Sequence, residues 1–176
     1  MRSLDFALFN WINATPATPH ALISIATLIT HGLPALTVVV LALAAVLNPA
    51  WRRPVLLVAL SMVLTWAGAT LVRWGMPMPR PGQLGMGHQW IEHALSPGFP
   101  SMHASCMFAA AMALVWGRCW PLALPSLVAA VLVAWSRPFL GVHFPMDVAG
   151  GFVLGSVVSW IVCWGARHIG VAQRRG

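Results

Sequence analysis

Five apolar segments dominate the chain and leave it few ways to fold. They run over residues 21–47, 54–73, 103–118, 120–137 and 146–166. A helix needs about 20 apolar residues to cross a bilayer, and each segment is near that length, the third and fourth at the short end. Within lipid, backbone polar groups must be paired internally, so each segment is expected to be a helix. No strand-and-turn alternation of the kind a membrane barrel needs is present. Only 7% of residues are charged, against about 25% in soluble domains, too few to cover a water-facing surface. The expected fold class is all-α: a polytopic membrane helix bundle of five to six membrane helices, with an interfacial N-terminal helix and a loop-borne site at the outer face.

The length fits one domain, residues 1–176. Residues 1–20 are expected as an interfacial N-terminal segment, because 4–12 (LDFALFNWI) are apolar yet carry Asp5; a span over 4–14 stays open, and would move the N-terminus inside without changing the other assignments. A single Arg2 makes a poor signal-peptide n-region. His31-Gly32 and Pro34 are candidate kink points in the first segment, and NPAWRR at 48–53 reads as a tight basic turn. Residues 74–102 form a long outer loop whose prolines exclude a regular helix through 77–81. Residues 88–95 are expected as a short surface helix. A long ordered loop of this kind is usually functional.

All ten basic residues are arginine. With five spans, Arg52, Arg53, Arg118, Arg167, Arg174 and Arg175 share one side, and Arg2, Arg73, Arg80 and Arg137 the other. The excess assigns the first side to the cytoplasm and the long loop to the exterior or periplasm of a cytoplasmic (inner) membrane. The net charge of +7 is not gathered into a basic run, which argues against nucleic acid as a partner. Cys106, Cys119 and Cys163 lack metal-ligand spacing and read as small buried apolar groups. Nothing in the sequence bears on oligomeric state.

Three stretches converge on the outer side. The first runs from Arg73 to Arg80-Pro81, the second is Pro100-Ser101-Met102-His103, and the third is Ser136-Arg137, His143 and Asp147. Three guanidiniums at one membrane face repel each other and are costly to desolvate, and an anion relieves both costs. Arginine grips phosphate oxygens with a fork that lysine lacks. Ser101 suits the N-cap of the third segment, whose first amides form an anion site. His103 follows within the first turn, placed to give a proton to a departing oxygen. Pro145 suits a helix start, so Asp147 falls in its first turn, within reach of His143 four residues back. A carboxylate there can hold one ring nitrogen and leave the other nucleophilic.

These motifs resemble the type-2 phosphatidic acid phosphatase superfamily, related to acid phosphatases and vanadium haloperoxidases. Its pattern is a lysine, six residues, Arg-Pro; Pro-Ser-Gly-His; and Ser-Arg, five residues, His, three residues, Asp. Here the pattern reads Arg73-x6-Arg80-Pro81, Pro100-Ser101-Met102-His103 and Ser136-Arg137-x5-His143-x3-Asp147. Arg73 stands for lysine and Met102 for glycine, which implies altered substrate choice or rate. The resemblance implies that Arg73, Arg80, Ser101, Arg137 and amides including that of Met102 hold the phosphoryl group. It further implies that His143 attacks phosphorus, Asp147 orients it, and His103 serves the leaving oxygen and then water. No metal and no cofactor are expected, since no carboxylate cluster could hold magnesium.

The short length and LDFALFNWIN look like the bacterial undecaprenyl-diphosphatase branch, which implies hydrolysis of undecaprenyl diphosphate to undecaprenyl phosphate. Phosphatidylglycerophosphate, phosphatidic acid and lipid A phosphate stay open as substrates. So do transfer to an acceptor lipid and a non-hydrolytic phospholipid carrier. Trp74, Met76 and Trp90, with Met78 and Met86, are candidates to line the approach of a lipid tail, against a plainer role as interfacial anchors. His20, His31 and His168 read as structural or solvated. His88, Glu92 and His93 are loop residues that could lie over the site.

Overall fold

The computed structural model of the chain describes residues 2–92 and 96–172. Among these described residues are six α-helices: α1 (Arg2–Ile12), α2 (His20–Leu47), α3 (Arg52–Gly75), α4 (Met102–Trp116), α5 (Trp120–Phe139) and α6 (Pro145–Ala172). Two 3-10 turns lie at Pro49–Trp51 and Pro81–Leu84. All five apolar segments are helical. Among the described residues, four helices are long and apolar enough to cross a membrane: α2, α3 together with the turn before it, α5 and α6. α4 is a shorter apolar helix of 15 residues.

α4 is short because it never meets lipid over most of its length. It packs between α3, α5 and α6, and Ala104, Ala109, Ala110, Ala111 and Ala113 are all buried. Small residues let backbones approach, which is how helices associate where lipid removes the hydrophobic drive. α6 meets α4 through Gly151 and Gly155: a Cβ on Gly155 would run into the Ser105 carbonyl and the Ala109 amide. The outer helices do the reverse. Val38, Leu43, Val63, Val128, Val131, Val153 and Val157 point outward and exposed, as lipid-facing side chains must.

Pro34 does not break α2, which is continuous across it. Helix α1 has 11 residues, about 16 Å at 1.5 Å per residue, too short to span. Among the described helices it packs on α5 and α6, and it leaves Trp11 exposed. The chain enters and leaves so that the ends of α3 and α5 and the starts of α4 and α6 share one face. On the opposite face guanidiniums close helix ends: Arg52 Nε donates to the Ala45 carbonyl at 3.2 Å, Arg53 Nη2 to Ala166 at 3.1 Å, and Arg167 Nη2 to Trp116.

The expected helix at 88–95 is not seen in its described part. Residues 88–92 are non-helical, and 93–95, including His93, lie outside the described residues. Their backbone groups find partners elsewhere instead. Trp90 N–H donates to the Leu140 carbonyl at 3.0 Å, and His88 N–H donates to Asn13 Oδ1 at 2.7 Å.

Candidate active site

The turn between α5 and α6 carries His143 and Asp147. α5 closes with Leu140 N–H on Ser136 and Gly141 N–H on Pro138. Gly141 then takes φ +77°, a region that favours glycine, and a Cβ there would strike the His88 carbonyl. Val142 N–H returns to the Arg137 carbonyl at 3.1 Å. Pro145 opens α6, where its missing N–H costs nothing. His143 Nδ1 lies 3.2 Å from Asp147 Oδ2, and the same oxygen accepts the Phe144 N–H at 3.0 Å. Both side chains are buried.

The tautomer of His143 follows from its neighbours. Arg80 Nη1 sits 3.0 Å from His143 Nε2. A guanidinium can only donate, so Nε2 must be the acceptor and the ring proton must sit on Nδ1, facing Asp147. The lone pair on Nε2 thus points away from the carboxylate, toward Arg80.

Arg80 is buried in a collar of oxygens. Nε donates to the Ser96 carbonyl at 2.7 Å, Nη1 to Val142 at 2.8 Å, and Nη2 to Ser96 Oγ and the Pro97 carbonyl, each at 3.2 Å. Burial pushes its pKa down to about 10, Arg73 pushes the same way, and Asp147 opposes; it remains cationic at neutral pH. Arg73, at the end of α3, places Nε and Nη2 on the Pro100 carbonyl at 3.1 and 2.8 Å. That two-pronged grip is open to arginine and not to lysine. Arg137 is fully buried in α5 and gives Nη1 to Thr30 Oγ1 at 2.6 Å. Its Nε and Nη2 have no partner among the described residues. Arg137 feels the charges of both Arg80 and Arg73, and Arg80 that of Arg73, so the three cations repel one another.

Ser101 occupies the N-cap position of α4, but its hydroxyl does not cap the helix as expected. Its N–H is fixed on the Asp147 carbonyl at 2.9 Å, and its buried Oγ has no partner among the described residues. The carbonyl side takes the capping load: Ser105 N–H and Ser105 Oγ both donate to Ser101 O at 2.8 Å. Met102 and His103 are the first two residues of α4, both half-buried.

The tail-contact candidates separate in space. Met76 lines a cavity of about 360 Å³ with Asp5, Phe6, Met78, Phe99, Phe144, Met146 and Asp147. Trp74 is 80% exposed and projects as an interfacial anchor does. Trp90 packs with Ala14, Ile23 and Phe139 and donates Nε1–H to the Ala14 carbonyl at 2.9 Å.

Several site residues carry no sequence signal. Thr30 and Ser96 support two of the arginines. Asn13 is buried and clamps the turn that leads to His143, its Nδ2 donating to the carbonyls of His88 at 3.0 Å and Phe139 at 3.1 Å. Asp5 accepts the Met146 N–H at 3.0 Å, while Phe6 and Phe9 pack on Phe144 with centroids 5.1 and 5.2 Å apart. Burial raises the pKa of Asp5 from 3.8. Each of these contacts joins residues far apart in sequence, so no local pattern could reveal them.

Among the described residues, three guanidiniums, the Ser101 hydroxyl and the start of α4 offer the donor chemistry that a tetrahedral oxyanion calls for. Among the described residues, no group of three His, Cys, Asp or Glu side chains could hold a metal ion.

Comparison with known proteins gives the same picture. Residues 54–169 match the PAP2 superfamily. The chain is 34% identical over 186 residues to YbjG of Escherichia coli (strain K12), assigned by name to the undecaprenyl-diphosphatases, covering 99% of this chain and 89% of that protein. Its fold matches the PAP2-type phosphatidylglycerolphosphate phosphatase of Bacillus subtilis, with TM-score 0.73, 24% identity and coverage of 95% and 86% of the two chains. It also matches LpxE of Aquifex aeolicus, with TM-score 0.76, 23% identity and coverage of 90% and 94%. With motif spacing, helix order and oxyanion-binding chemistry in agreement, the chain belongs to the PAP2 superfamily and is a membrane lipid phosphatase.

Proposed function

We propose that this enzyme hydrolyses undecaprenyl diphosphate to undecaprenyl phosphate and inorganic phosphate, at the outward face of a cytoplasmic membrane, through a phosphohistidine on His143. The observation that carries the chemistry is the Nε2 lone pair of His143, set opposite Asp147 and facing Arg80. The substrate rests on relatedness along nearly the whole chain to YbjG. The orientation rests on the arginine excess at the opposite face.

In this reading Arg73, Arg80, Arg137, Ser101 and the first amides of α4 bind the terminal phosphate. Phosphoryl transfer spreads charge over three equatorial oxygens, so neutralisation and in-line placement do most of the work. His143 Nε2 forms the new N–P bond as the P–O bond to undecaprenyl phosphate breaks, and His103 gives a proton to the departing oxygen. Asp147 stabilises the imidazolium charge. His103, now neutral, takes a proton from water, whose oxygen attacks phosphorus. The P–N bond breaks, phosphate leaves, and His143 recovers its lone pair.

The test is phosphate release from undecaprenyl diphosphate and farnesyl diphosphate in detergent with EDTA, together with trapping of an acid-labile phosphoenzyme. His143→Ala should abolish both while the protein stays folded. Intact lipid bound without release by the native protein would indicate a carrier instead. Phosphate found only on an acceptor lipid would indicate transfer. Faster turnover of phosphatidylglycerophosphate or lipid A would move the substrate and keep the chemistry.

A further inference from the structure

Arg137 is the most deeply enclosed of the three guanidiniums, and among the described residues one of its nitrogens has a partner. Nη1 donates to Thr30 Oγ1 at 2.6 Å, across 107 positions of sequence. Nε and Nη2 share the opposite edge of the fork, and neither has a partner among the described residues. That edge carries two parallel N–H groups, the pair that matches two oxygens of a phosphate.

Thr30 is itself fully buried on α2. Its hydroxyl is used unusually for a helical threonine. Thr27 and Thr70 turn their hydroxyls back onto the carbonyls four residues before, at 2.9 and 2.8 Å, the common habit in helices. Thr30 instead accepts from α5. A hydroxyl is also the apt acceptor here. It fixes the guanidinium without cancelling its charge, whereas a carboxylate would compete with the incoming anion. The free torsions of an arginine side chain carry rotamer entropy that a fixed partner removes in advance of binding.

We propose that Thr30 is a positioning residue for the phosphate cradle: its hydroxyl sets the fork of Arg137 so that the Nε–Nη2 edge faces the transferring phosphoryl group. This rests on reading Arg137 as a phosphate ligand. Thr30 lies outside the 54–169 stretch that matches the family, so α2 supplies part of the site's precision from beyond the motif-bearing core.

The experiment compares Thr30→Val, Thr30→Ser, Arg137→Ala and the Thr30→Val/Arg137→Ala double variant on farnesyl diphosphate, with orthovanadate as a competitive probe of the cradle. Loss of a hydrogen bond to a charged group should lower kcat/KM for Thr30→Val by about 10- to 100-fold, and vanadate should weaken by a similar factor. Thr30→Ser, which keeps the hydroxyl, should recover most of that loss. The double variant should be no slower than Arg137→Ala alone, because residues acting through one interaction are not additive. Should Thr30→Val not accumulate folded, Thr30→Ala carries the same test without an added methyl. If neither folds, Thr30 is a structural residue and the proposal fails. A native enzyme with no phosphate release overturns the reading of the site as a whole. An active native enzyme whose Thr30→Val variant matches it, or whose two losses multiply, overturns the role of Thr30 alone.

Discussion

Replacing Asp147 by asparagine isolates what its charge contributes. One oxygen, Oδ2, accepts both from His143 Nδ1 and from the Phe144 N–H. An asparagine carbonyl oxygen in that place keeps both hydrogen bonds, the ring orientation and the tautomer. What disappears is the negative charge beside a ring that, in the proposed mechanism, becomes cationic when Nε2 bonds to phosphorus. For unit charges about 4 Å apart at an effective dielectric of about 20, the attraction is about 4 kcal/mol. At about 1.4 kcal/mol per factor of ten, kcat should fall roughly a thousandfold. Phosphate affinity should move differently. Removing an anion leaves the three arginines less compensated, so vanadate should bind Asp147→Asn at least as tightly as the native enzyme. The assay is colorimetric phosphate release from farnesyl diphosphate in detergent, with vanadate inhibition measured on the same preparation. A kcat within threefold of native would refute the electrostatic role. A matching loss of vanadate affinity would show that Asp147 shapes the cradle and not the nucleophile.

Three further outcomes are expected. Asp5→Asn keeps an acceptor for the Met146 N–H but cannot ionise. Because burial raises the native Asp5 pKa above 3.8, its contribution to stability is present below that value and lost as pH rises through the folded pKa, so the apparent Tm of the variant should gain on native over that window and hold the gain at neutral pH. Arg118, at the α4–α5 turn, has φ +56°, and Arg118→Gly should raise stability by about 1 kcal/mol while leaving phosphate release unchanged, measured by thermal unfolding in detergent. Gly155→Ala should destabilise by about 1–3 kcal/mol, because its Cβ meets the backbone of α4 at Ser105 and Ala109 and backbone cannot give way cheaply; an unchanged apparent Tm would contradict the close α4–α6 approach.

The parts of the site that sequence could show are those coded over short distances. His143 and Asp147 stand four apart across a helix start marked by Pro145, and that spacing alone predicts their contact. The apolar segments predict their helices because lipid leaves the backbone no other choice. What stayed hidden is held by long-range hydrogen bonds. Nothing near Thr30 in the chain points to Arg137, and nothing near Asn13 points to His88 or Phe139. The loop at 88–92 misled for the same reason. Its local pattern permits a helix, but Asn13 and Leu140 offer its amides partners that a helix would forfeit. Ser101 has the composition of a cap, yet its amide is held by Asp147 and its hydroxyl turns from that task.

The arginines opposite the site do two jobs with one group. In the proposed orientation their charge is the signal for sidedness, while their N–H bonds fasten α3 to α2 and α6, and α6 to α4. Lysine in their place would preserve the first property and loosen the second, since a compact ammonium cannot copy the geometry of the fork. Insertion direction and bundle cohesion can therefore be pulled apart by a substitution that leaves the electrical signal untouched.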